Sequence, residues 1–169
     1  AAGVASAAAY RLDGDAVWVV AEADYTNTAL RMALDDVSAD FYKVLGYPPV
    51  VLHDADDVPA SVPLVMFGTL AHAPLLRDAS LAGGCDPAAF DPAPDSEDHC
   101  VVAGSLAGRP LVAAYGRSTR GTIFAAYAFS ERVLGVVPLW FFAEAQPAYV
   151  GQVEVAADLA LHFSNRGFR

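Results

Sequence analysis

Basic residues are scarce: ten Lys and Arg stand against twenty Asp and Glu in 169 residues, for a formal charge of -10. A chain of this charge repels polyphosphates, which argues against nucleic acid as a partner and against polyanionic polysaccharides unless cations gather at one place. Long apolar runs are missing as well. Hydrophobic residues make up 55% of the chain, yet Gly, Pro or charge interrupts every run before the ~18 residues needed to cross a bilayer, so no transmembrane segment is expected. There is no P-loop, G-x-G-x-x-G, H-E-x-x-H or paired C-x-x-C, and nucleotide cofactors and structural zinc therefore have no motif behind them. No cofactor and no metal site are expected. The opening AAGVASAAAY has neither Met nor a charged segment ahead of an apolar one, and its small residues suit a processed, secreted or extracytoplasmic protein.

Cysteine is limited to Cys85 and Cys100, which bracket the acidic, Pro-rich stretch CDPAAFDPAPDSEDHC. A disulfide closing that loop would stabilise the fold by about 3 kcal/mol in the chain-entropy picture. The other reading is two buried or reduced thiols, and one pair does not decide the compartment.

A chain of this length buries about two-thirds of its unfolded surface, so residues 1–169 are expected to form one domain with its own core. AVWVVAEA, after the Asp13-Gly14 turn signal, reads as a buried strand. Leu30, Ala33, Leu34, Val37, Phe41, Val44 and Leu45 form one helical stripe from Thr26 to Leu45, with Thr26 or Asn27 as cap and Gly46 as stop. PVVLHDA and PLVMFGTL read as strands, APLLRDASLA as a short helix, and residues 83–98 as an acidic loop. HCVVAGSLAGRPLVAAYG reads as a hairpin of adjacent antiparallel strands. A second long helix runs from about Ser118 to Leu134, and VVPLWFF and GQVEVA read as late extended segments. The fold class is α/β (α+β): a mixed sheet with its two long helices on one face.

Candidate sites are few. Gly116-Arg117-Ser118-Thr119-Arg120-Gly121 is one residue longer than a G-x-S-x-G nucleophile elbow. Arg117, Arg120, Gly121 and Thr122 at a helix start could hold an anion; the alternative is a Ser118 or Thr119 cap with solvated or paired arginines. Trp140, within Trp140-Phe141-Phe142, could stack on a sugar ring, although consecutive strand residues alternate sides and one must face the core. His53-Asp54-Ala55-Asp56-Asp57 and the carboxylates Asp86, Asp91, Asp95, Glu97 and Asp98 read as solvated loops rather than cation sites. Glu131 and Glu144 have nothing fixing their separation, so no catalytic residue is assigned. Ile123, Ala126, Tyr127, Val133 and Leu134 make a core stripe on the second helix, with Phe124 and Phe129 off it, and a helix apolar on more than one side is covered on more than one side.

GRSTRGTIFAAYAFSERVLGVVPLWFF resembles the segment SDKRGTIYGIYDLSEQIGVSPWYWW typical of the N-terminal domain of family 115 glycoside hydrolases, the xylan α-glucuronidases. ALDDVSADFYKVLGYPP, VMFGTLAHAPLL and FSNRGFR are similar to further pieces of that domain in the same order, and Arg120-Gly121-Thr122 and Ser130-Glu131 are the most specific matches. Arg117-Ser118-Thr119 departs from the Asp-Lys pair common there, and Ala71-His72-Ala73 from Gly-Lys-Ser. The resemblance implies an α/β domain like the second domain of β-hexosaminidases, preceding a (β/α)8 barrel that carries the catalytic carboxylates. It implies a non-catalytic accessory role in a carbohydrate-active enzyme, with Arg120 and Gly68-Thr69 near the interdomain face and the barrel as partner. The alternative is a stand-alone interaction module that docks another subunit through Phe124 and Phe129. A carbohydrate is the remaining candidate ligand.

Overall fold

The computed structural model describes residues 10–22, 25–82, 85–143 and 145–164. Strands β1 (Tyr10–Asp13) and β2 (Trp18–Glu22) precede helix α1 (Thr28–Leu45), which forms where the apolar stripe lies, with all seven stripe residues buried. Asn27 is the cap, its side-chain oxygen accepting from the Leu30 N–H at 3.1 Å. Gly46 ends the helix at φ 92°, a left-handed conformation that glycine adopts without a Cβ penalty, and its N–H closes onto the Tyr42 carbonyl at 2.9 Å.

Strands β3 (Val50–Leu52) and β4 (Leu64–Thr69) pair in parallel on opposite sides of β2. A short helix α2 (Pro74–Asp78) and strand β5 (Ser80–Leu81) follow, and then the hairpin β6 (His99–Leu106) and β7 (Arg109–Gly116). β7 lies parallel to β4 and antiparallel to β6. Helix α3 (Thr119–Phe129) continues into a wider π turn over Ser130–Leu134. Helix α4 (Trp140–Ala143) and strands β8 (Gln152–Val155) and β9 (Ala160–Phe163) complete the described chain. The main sheet runs β3-β2-β4-β7-β6-β5, with β9 beside β5 on the same edge of β6, and β1 pairs with β8 in a separate ribbon. β1 and β9 carry no signal strong enough to have been expected from sequence.

Strand alternation divides the core in two. Val65 and Phe67 of β4, Val101 and Ala103 of β6, and Val112 and Ala114 of β7 face α1 and α3. Leu64, Met66, Cys100, Val102, Leu111, Ala113 and Tyr115 face the other way. Both faces are covered, which is why the central strands read as continuous apolar runs. The fold is therefore the expected mixed sheet with both long helices on one face. The second face is covered by α2, the turn at Ala55–Asp57, and the acidic loop.

Two expectations are corrected. VVPLWFF is not extended: the chain turns at Leu139 with φ 55° and Trp140 begins α4. Residues 85–98 are not simply a solvated loop. Phe90 is buried with its ring 6.1 Å from that of Tyr115, and Asp98, only 1% exposed, accepts from the Asp91 N–H at 2.6 Å. Cys85 and Cys100 are joined by a disulfide, their Cα atoms 6.3 Å apart, which fastens the start of this loop to buried β6.

Candidate functional site

The turn from β7 into α3 was the first candidate. A Cβ at Gly116 would lie 2.2 Å from the Gly121 carbonyl carbon and the Thr122 nitrogen, and one at Gly121 would lie 2.7 Å from the Asp98 carbonyl oxygen. The two glycines thus let the first turn of α3 rest directly on the end of β7. Ser118 caps the helix, accepting from the Gly121 N–H at 3.1 Å while its hydroxyl donates to the Ser96 carbonyl at 2.6 Å. Buried Thr122 donates its hydroxyl to the Gly68 carbonyl at 2.9 Å and lies 2.7 Å from the Thr69 hydroxyl. The Thr122 N–H donates to the Ser118 carbonyl at 2.9 Å, and Arg120 pairs with Glu97 at 2.5 Å.

Of the groups at the helix start, the Gly121 N–H is thus taken by the Ser118 cap and the Arg120 guanidinium by Glu97. Gly121 and Thr122 are buried, the one packed against β7 and the other bonded to Gly68. Gly68 and Thr69 are likewise buried, where the Thr122 side chain of α3 meets the end of β4. Arg117 is exposed, and its backbone N–H donates to the Asp98 carbonyl at 3.2 Å. Among the described residues no cluster of three His, Cys, Asp or Glu could hold a metal ion, and Asp54 instead caps the turn at Asp56. Glu144 lies outside the described residues, so its relation to Glu131 is not described.

Helix α3 divides its aromatics in a way its periodicity misjudged. Phe129 is fully buried, stacked on Phe41 with centroids 5.4 Å apart and edge-on to Phe67 at 5.6 Å, so it is core and not a partner surface. Phe124 and Tyr127 face outward, 39% and 42% exposed. Together with the outer side of α1 they line a groove of about 560 Å³. Its α1 wall presents Asp36, Asp40 and Lys43, its α3 wall Phe124, Tyr127 and Glu131, and the segment from Val136 to Trp140 closes one end. His99 and Phe163 lie at the groove as well, their rings stacked 4.8 Å apart.

The groove's polar groups are fixed by bonds between the two helices. Tyr127 donates its hydroxyl to Asp36 at 2.7 Å, and Ser130 donates to Asp40 at 2.6 Å. Burial, then the bond to Asp36, pushes the Tyr127 hydroxyl up to about 12, so it remains a donor at neutral pH. Burial raises the Asp40 carboxyl, with the Ser130 bond acting in the opposite direction. His99 is held below the usual imidazole range by burial. Trp140 is half-buried, and Lys43 Nζ sits 3.9 Å from its ring centroid. Of the residues singled out in the sequence, the groove gathers Phe124, Trp140 and Glu131, and also Tyr127, which the stripe reading had placed in the core; it contains Asp36 and Asp40 as well, which sequence reasoning did not single out. Their one legible trace is spacing: Asp36, Asp40 and Lys43 fall on one helical face at i, i+4 and i+7.

No protein-family model matches the sequence, and no curated protein does. The fold does have a solved counterpart. It is similar to part of a family GH115 4-O-methyl-α-glucuronidase, BtGH115A, with specificity for decorated arabinogalactans, at a TM-score of 0.68 and 19% identity. The likeness covers 92% of this chain and 18% of that enzyme, so the chain spans less than a fifth of the enzyme's length. At that identity the likeness is one of fold.

Proposed function

We propose that the chain is a non-catalytic accessory domain of a carbohydrate-active glycoside hydrolase of the α-glucuronidase kind, supporting an adjoining catalytic barrel. The observation that carries this reading is the match of nearly the whole chain to one domain-sized portion of a much larger glycoside hydrolase. The turn that most resembles the family supports it, because Gly116, Ser118, Gly121 and Thr122 seat a helix on the sheet. A disulfide between Cys85 and Cys100 suits an extracytoplasmic setting, where such bonds persist.

The test is hydrolysis by the purified 169-residue chain on glucuronate-bearing xylan and arabinogalactan fragments. No release of glucuronic acid is expected. Turnover that disappears on substituting Glu131 or Glu144 overturns the reading.

A second reading, a stand-alone interaction module, has one observation in its favour: Val137, Leu139 and Phe142 expose apolar side chains at one end of the helix layer, Phe142 by 79%. A barrel-sized continuation of the reading frame, with carboxylates at its strand ends, would exclude it.

A further inference from the structure

We propose that the groove between α1 and α3 binds an uncharged sugar unit of a glycan, with the Phe124 and Tyr127 rings as stacking faces and the Asp36 and Asp40 carboxylates as hydroxyl acceptors. The inference deepens the accessory-domain reading and takes its biological setting from it.

Three observations carry the chemistry. The first is shape: about 560 Å³ lies within the ~300–1,000 Å³ of small-ligand sites, and the two helices that form the walls are tied together across the groove, so the cavity is formed without a ligand. The second is the pairing of groups. A sugar ring has an apolar C–H face and a rim of hydroxyl donors, and the groove sets partly exposed aromatic rings beside carboxylates. Asp36 and Asp40 each receive one inter-helix hydrogen bond, whereas a carboxylate has roughly four acceptor sites, so each retains capacity for sugar hydroxyls. The fixed bonds also mean that little side-chain freedom is lost on binding.

The third observation is charge. Asp36, Asp40 and Glu131 face the groove against Lys43, within a chain of formal charge -10. That field disfavours a uronate carboxylate, so the groove selects the neutral units of a glycan over its charged branches.

The experiment is a heteronuclear NMR titration of the whole chain with xylotetraose and, in parallel, with the same oligomer carrying one glucuronate branch. Saturable shifts confined to α1, α3 and the Val136–Trp140 segment are expected with the neutral sugar, and affinity about tenfold weaker for the branched one. Phe124→Ala and Tyr127→Ala, at partly exposed positions, should each weaken neutral binding about tenfold or more with the folded spectrum retained. Asp36→Asn with Asp40→Asn should narrow the gap between the two sugars, an effect that loss of packing would not produce. Absence of saturable shifts at about 10 mM sugar overturns the proposal. So does tighter binding of the charged oligomer, shifts mapping outside the groove, or a Lys-rich apolar peptide binding there when the sugar does not. A chain that neither binds nor hydrolyses would sink this inference and leave the accessory-domain reading standing, whereas hydrolysis dependent on Glu131 or Glu144 would sink that reading whatever the groove binds.

Discussion

Gly116 and Gly121 show how a residue with no side chain can be the most specific feature of a segment. Their backbones touch, and the contact fixes how far α3 can descend onto β7. A methyl group at Gly116 would have to displace backbone atoms 2.2 Å away and not a flexible side-chain end. Gly116→Ala is therefore expected to destabilise by about 3 kcal/mol, at the upper end of overpacking effects. Gly108, in the β6–β7 turn, offers the control: a Cβ there meets nothing within 4 Å, and only its φ of 79° is unfavourable. Gly108→Ala should cost about 1 kcal/mol. Chemical denaturation of both variants checks the ranking, and equal losses would show that α3 tolerates displacement. Both glycines were visible in the sequence, but only as ends of an anion-binding turn. Their packing role depends on Asp98 and Ser96 arriving from a loop that composition alone reads as solvated.

Among elements, α1 was legible almost to the residue, because its apolar stripe, polar cap and terminal glycine all agree. The hairpin was equally plain. Helix α3 was not. Its apolar stripe, read by periodicity, put Tyr127 in the core and Phe129 off it, and the structure reverses both. The cause is at its N-terminus: Gly121, Thr122 and Ala125 face the sheet because they are small enough to let the helix approach, which sets the rotation of every later residue and aims Phe129 at Phe41 and Phe67. The groove followed the same fate, since Tyr127 can meet Asp36 only in that rotation.

At the junction of β6, β9 and α3, His99 gives the element contacts a pH dependence. Its ring stacks on Phe163 and lies 6.0 Å from that of Phe124, and its Nδ1 is 2.6 Å from the Glu97 carbonyl. Burial lowers its pKa, and repulsion from His162 acts the same way, while the Glu97 carbonyl bond and the charges of Asp98 and Glu97 oppose them. The folded state then binds fewer protons than the unfolded one, so this contribution is complete above an ordinary imidazole value of about 6.5 and is lost as pH falls through the lower folded value. Subtracting the stability of His99→Phe from that of the native chain, from about pH 7 to pH 5, isolates this residue from the carboxylates. The difference should move against the native chain on acidification; a flat difference would mean that His99 titrates normally in the fold.

For the whole molecule, the decisive quantity is charge. The chain carries twenty acidic residues against ten basic ones. The pairs Arg120–Glu97 and Arg132–Glu131 involve exposed arginines, a class of contact worth about 0–1 kcal/mol. The acidic groove collects three carboxylates in one place: Asp36 and Asp40 accept from the neutral Tyr127 and Ser130 donors, and Glu131 pairs with Arg132. Repulsion should therefore outweigh attraction in the folded state. Screening shortens to about 8 Å near physiological ionic strength, which weakens repulsion among spread surface charges more than it weakens short hydrogen bonds. Raising sodium chloride from about 0.01 M to 0.3 M at pH 7 is expected to raise the thermal midpoint. The rise should be smaller in a variant carrying both Asp36→Asn and Asp40→Asn, because part of the repulsion has been removed. A midpoint that falls with salt would show that ion pairs dominate the electrostatics of the fold. It would also weaken the case that the groove excludes uronates by its field, since the same carboxylates are invoked for both.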